Sequence, residues 1–133
     1  MLVQAGGEGV VLFASKASDG RLHLVLANHE GSATNVTIKL TGAKVSTDGA
    51  TVARIDDSHA NAFTAWVGMG SPKADADGVL DAEVVSALHA AAALVEEPLA
   101  LAPLAAEEGD GAAVTVELPH HGVARARITL TYG

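Results

Sequence analysis

The sequence predicts a mainly β fold: an antiparallel β-sandwich with one inserted α-helix at about 81–94 and a long irregular loop at about 56–79. Three observations lead there. Apolar and polar residues alternate in several separate runs, Asp-Gly pairs fall between such runs, and one segment alone spaces its apolar residues three and four apart.

Taken in order, Gly6-Gly7-Glu8-Gly9 leads into the strand-like Val10 to Ala14. With no helix after it and no Lys-Ser/Thr ending, it reads as a flexible terminus and not as a phosphate loop. Leu22, Leu24 and Leu26 then share one face of a strand. Val36, Ile38 and Leu40 repeat the pattern with Thr37 and Lys39 opposite, and Val114, Val116 and Leu118 do so with Thr115 and Glu117 opposite. At the end Ala124, Ala126, Ile128, Leu130 and Tyr132 line one face, and Arg125, Arg127, Thr129 and Thr131 the other. Such alternation marks antiparallel strands with one face in water. Asp19-Gly20, Asp48-Gly49 and Asp110-Gly111 lie between runs, where Asp-Gly supplies the positive φ of a hairpin turn. Asn35-Val36-Thr37 is formally a glycosylation sequon, but its place on a strand gives it no weight.

The helix is expected from Asp81 to Leu94, where Val84, Val85, Leu88, Ala91 and Ala92 fall on one face. Asp81 is its N-cap, Glu83 suits the positive end of the dipole, and Pro98 closes the region. Between the strand ending near Ile55 and this helix no clean period exists. Loops of that length tend to be either functional or disordered. Phe63, Trp66, Val67 and Met69 make the first half too apolar for a solvated linker, so it is expected to pack against something. Lys73 to Gly78 reads as flexible.

Composition bounds the rest. A chain of 133 residues has the length of one domain, 1–133, and buries roughly two thirds of its unfolded surface. Of the 49% hydrophobic residues, 27 are alanines, so the core must come from Val, Leu and Ile. A net charge of −8 without a basic cluster argues against nucleic acid. No stretch approaches the ~18 apolar residues of a membrane span, so a soluble chain is expected. The absence of cysteine fits a reducing bacterial cytoplasm and a disulfide-free secreted protein equally.

Paired carboxylates are the first candidates for chemistry. Asp56-Asp57 and Glu96-Glu97 are adjacent, and neighbours on a strand point to opposite faces, while Glu107-Glu108 lies beside a Gly-rich turn. None reads as a catalytic clamp, and no catalytic residue is assigned. Asp56, Asp57 and His59, or His120-His121, offer metal-ligand types without three or more convergent partners, so no metal or cofactor is expected. Asp56 and His59 read instead as hydrogen-bonding residues that hold the loop, and His120-His121 as a turn after Pro119. Trp66 is the strongest candidate for ligand contact. Sugar-binding modules present several exposed rings, and this chain has four aromatics in all, so Trp66 is expected in packing or at an interface.

The same loop carries a resemblance. The segment Arg54-Ile55-Asp56-Asp57-Ser58-His59-Ala60-Asn61-Ala62-Phe63-Thr64-Ala65-Trp66-Val67-Gly68-Met69-Gly70-Ser71-Pro72 resembles one in glycoside hydrolase family 39, the β-xylosidases. That family's stretch runs Arg-Ile-Asp, two variable positions, His, then Asn, an aromatic, Trp and Met-Gly-Ser-Pro. The likeness is strong at 54–72 and weaker elsewhere, at Leu24 to His29, Asp81 to Leu94, Leu99 to Leu104 and Leu118 to Val123. Phe63 stands where a Tyr is common, and Asp81-Ala82-Glu83 replaces a Pro-containing helix start. The resemblance implies a non-catalytic C-terminal accessory sandwich, part of a larger glycosidase whose catalytic (β/α)₈ barrel would be its partner. It also implies a docking loop built from Arg54, Asp56, His59, Asn61, Phe63, Trp66 and Met69, with self-association of the isolated domain if that loop stays uncovered. An autonomous carbohydrate-binding module is the alternative.

Overall fold

The computed structural model describes residues 1–6, 9–29, 32 and 34–131. Gly7 and Glu8 of the glycine-rich start, and Tyr132 of the last alternating run, lie outside them. The elements are β1 (Leu2–Gly6), β2 (Val10–Lys16), β3 (Arg21–Asn28), β4 (Thr34–Thr41), β5 (Thr51–Ile55), α1 (Ala62–Gly68), α2 (Ala82–Ala92), β6 (Glu96–Pro98), β7 (Ala102–Pro103), β8 (Gly111–Leu118) and β9 (Val123–Thr129). They form two antiparallel sheets, ordered β1-β4-β8-β7 and β2-β3-β9-β5-β6. The fold class is thus a mainly β sandwich with inserted helix. The stretch 56–79, expected to be irregular, holds α1 as a further helix. Seven residues are too few for a period to emerge from the sequence. The helix expected at 81–94 ends at Ala92, and Ala93 is already extended.

The alternating runs meet where the pattern puts them. In the four-stranded sheet Val36 faces Val116 and Ile38 faces Val114, and in the five-stranded sheet Leu22 faces Ile128 and Leu24 faces Ala126. A slip by one residue would turn every one of these side chains into water, so burial fixes the register. Leu24, Leu26, Val36, Ile38, Leu40, Leu118, Ala124 and Ala126 are fully shielded. Each large aliphatic there contributes about 1.5–3 kcal/mol relative to exposure. Val10, Leu12, Leu99 and Leu101 pack on the margin of this core.

Turn chemistry works differently at the three Asp-Gly sites. Asp19-Gly20 closes the β2–β3 hairpin, with Gly20 at φ 85° and Asp19 Oδ1 accepting the Arg21 N–H at 3.0 Å. Asp48-Gly49 makes no hairpin, because β4 and β5 belong to different sheets and the turn carries the chain across the sandwich. Asp110-Gly111 opens β8 after a 3-10 turn at Ala106–Glu108. A Cβ at Gly111 would collide with the Leu40 carbonyl, so close strand approach demands glycine there. The β8–β9 crossover is tied down by Asn28, 2% exposed, whose Nδ2 donates to the carbonyls of Ser32, Leu118 and Pro119 at 2.8, 3.2 and 3.3 Å. No helix among the described residues is long and apolar enough to cross a membrane.

Candidate functional site

The candidate site is the corner where β5 leaves the sheet and the two helices begin. Asp56, just past β5, is its hub. The Asp56 and His59 backbones exchange hydrogen bonds, N–H to carbonyl, at 3.0 and 3.4 Å. Asp56 Oδ1 accepts from the Ser58 N–H at 2.8 Å and lies 2.7 Å from His59 Nδ1, while Asn61 Nδ2 donates to the Asp56 carbonyl at 3.1 Å. Burial pushes the Asp56 carboxyl up, but the His59 ring, the Ser58 N–H and the His59 charge together outweigh it and hold the group below its ordinary value. Ala60 accepts φ 51° to close this loop, a conformation an L side chain adopts at some cost.

Asn61 then starts α1, its Oδ1 accepting from Thr64 N–H at 3.0 Å. The helix stops at a two-bond motif: Ser71 N–H donates to the Trp66 carbonyl at 3.0 Å and Gly70 N–H to the Val67 carbonyl at 3.0 Å, with Gly70 at φ 89°. Pro72 prevents continuation and receives the Trp66 Nε1–H on its carbonyl at 2.9 Å. The Met-Gly-Ser-Pro ending is therefore a helix stop, and the tryptophan is latched to it. Asp81 caps α2 by accepting from Glu83 N–H at 3.0 Å, and α1 packs against α2.

Arg54 points to the same side of the sheet as Val52, beyond the edge of the core, and its Nη2 reaches Glu97 Oε2 at 2.7 Å. Arg54, Ser58, His59 and Glu97 line a cleft of about 270 Å³ whose other wall is the C-terminal end of α2. Of the expected docking residues, Arg54, Asp56, His59 and Asn61 are thus brought together. Phe63, Trp66 and Met69 belong to α1 and its cap. Phe63 and Trp66 have ring centroids 5.8 Å apart, and Phe63 remains 69% exposed, Val67 50% and Met69 41%. Trp66 is half-buried and outside the sandwich core.

Sequence reading missed Glu97 as the partner of Arg54. Adjacent on β6, Glu96 and Glu97 face opposite sides, Glu97 toward Arg54 and Glu96 toward Arg125 and Arg127, a pairing that rests on the β5–β6 register. Among the described residues no group of three or more His, Asp or Glu side chains is gathered as metal ligands. Compared with known proteins, the chain matches no family model and no curated protein.

Proposed function

We propose that this chain is a non-catalytic accessory β-sandwich of a β-xylosidase-like glycosidase and that it docks on the catalytic (β/α)₈ barrel through α1 and its flanks. One observation carries the reading. The segment that resembles the family, 54–72, is capped at both ends by side-chain and backbone hydrogen bonds, yet it presents Phe63, Val67 and Met69 to solvent. Apolar side chains held in a fixed arrangement at the surface are characteristic of contact sites. The orientation of Glu96 and Glu97 to opposite faces of β6 supports a role other than catalysis for this pair.

The test is Trp66→Ala, made in this chain alone and in the same chain joined to its barrel. Alone, the loss is expected at about 1–2 kcal/mol, from the Nε1 bond and the half-buried indole, below the ~3 kcal/mol or more of a core truncation. In the joined protein, thermal stability and barrel attachment should fall together. If both proteins keep their stability while affinity for xylan drops, docking is wrong and an autonomous carbohydrate-binding module is the better reading. Sedimentation of the isolated chain should also show weak self-association that Trp66→Ala reduces.

A further inference from the structure

Three of the four arginines of this acidic chain, Arg21, Arg125 and Arg127, stand on the outward face of the five-stranded sheet, opposite the side that carries Leu22, Ala124 and Ala126. Register places them in a lattice. Arg21 is the cross-strand partner of Thr129, and Arg127 is the partner of Thr51 on the other side of β9. Adjacent positions in such a lattice are about 5 Å apart across strands and about 7 Å along one. Together with Gly49 and Glu96, these four residues line a cleft of about 180 Å³. None of the six lining residues has an apolar side chain apart from the threonine methyls, so the cleft suits a small charged group and offers nothing to a hydrocarbon or a ring.

The charges favour an anion. Arg125 Nη2 and Arg127 Nη1 converge on one oxygen, Glu96 Oε1, at 3.0 and 2.8 Å. A single carboxylate therefore serves two guanidinium groups, and the Nε atoms of both are shielded from solvent without an acceptor among the described residues. Two guanidinium charges against one carboxylate leave a net positive charge beside the cleft. On the far wall the Arg21 side chain is held, among the described residues, by a 3.7 Å approach of its Nε to Asp19, both side chains more than half exposed, which leaves its terminal nitrogens able to turn into the cleft. The geometry points to a site for one phosphate-class oxyanion, bound between Arg127 and Arg21 with the Thr51 and Thr129 hydroxyls as further donors. A tetrahedral anion can face several donors at once, whereas a carboxylate repeats what Glu96 already provides.

The experiment is a titration of the isotopically labelled full chain with inorganic phosphate, followed by amide resonances, against sodium chloride of matched ionic strength and against acetate. Saturable shifts at Arg21, Thr51, Arg127 and Thr129 are expected with phosphate alone. Arg127→Gln and Arg21→Gln should each weaken binding on the order of tenfold, the loss of one charge-assisted contact. Glu96→Gln should tighten it severalfold, because a competing negative charge is removed. Arg21 is exposed, so its variant keeps the test open if Arg127→Gln fails to fold. Shifts that chloride reproduces, equal binding of acetate, or unchanged affinity in the Arg21→Gln variant would each overturn the assignment.

Discussion

The sandwich interior and the helical corner hold themselves together by different means. Between the sheets, aliphatic side chains from β3, β4, β8 and β9 are shielded to 0–4% exposure, and the fold there rests on burial. Neither α1 nor α2 contains a buried residue. The corner is kept in shape by Asp56, Asn61, Asp81 and the Trp66–Pro72 latch, which are directional bonds. The corner is thus fixed by hydrogen bonds while Phe63, Val67 and Met69 face water, the arrangement on which the proposed docking rests.

That contrast is broken most easily from the core side. Leu24→Ala should cost about 2–5 kcal/mol, as for other large-to-small changes at fully shielded sites. Urea unfolding followed by circular dichroism measures it. Against a total of about 5–15 kcal/mol for a typical domain, this one change approaches the limit of folding. A loss under ~1 kcal/mol would mean that the two sheets do not share one interior.

Asp56 comes next, since it is the one acidic side chain of the corner that is almost wholly buried. Asp56→Asn keeps the shape but loses the charge that faces His59, at an expected cost of about 1–3 kcal/mol. The pH dependence has a definite sign. The folded carboxyl titrates below its unfolded value of ~3.9, so its stabilisation is complete above that pH and disappears as the pH falls through the lower folded value. Unfolding free energies of the two proteins should therefore converge below about pH 4. A difference that persists unchanged at pH 2 would remove the carboxylate as its cause.

How much of this was legible from the sequence follows from period length. Runs such as Val36 to Leu40 announce their faces because two residues complete a period, and each strand repeats it several times. α1 spans barely two turns, and its apolar residues Phe63, Trp66 and Val67 are not buried, so neither length nor burial leaves a signature. The Asn61 cap and the Gly70-Ser71-Pro72 stop were both readable as punctuation, yet punctuation without a period between them did not amount to a helix. The Arg54–Glu97 pair joins residues 43 positions apart on neighbouring strands. Its discovery needed the β5–β6 register, which three-residue β6 does not advertise. Asp48-Gly49 shows the converse limit, because a local turn signal does not reveal whether the next strand stays in the same sheet.

Asn61 sharpens the contrast at smaller scale. Its side chain caps α1 through Oδ1 and holds the Asp56 carbonyl through Nδ2. Asn61→Ala should cost about 1 kcal/mol, the usual value of an N-cap, with faster hydrogen exchange in α1 and unchanged exchange in β3 and β9. Equal acceleration in the strands would show the corner and the sandwich to be one cooperative unit.

The smallest effect on stability is the most informative about contact. Phe63 and Phe13 are exposed to nearly the same degree, 69% and 66%, but Phe63 sits on the hydrogen-bonded α1 and Phe13 on the outward side of edge strand β2. Both residues already face water, so Phe63→Ser and Phe13→Ser should each change the stability of this chain by less than ~0.5 kcal/mol. Burial energetics alone cannot tell them apart. If α1 is the docking surface, only Phe63→Ser weakens attachment of the barrel, because a ring buried at an interface loses its transfer energy on truncation whereas a ring left in solvent does not. Calorimetric binding of the separated barrel to each variant measures the difference. Loss in Phe13→Ser but not in Phe63→Ser would move the contact from the helical corner to the outer face of the sheet.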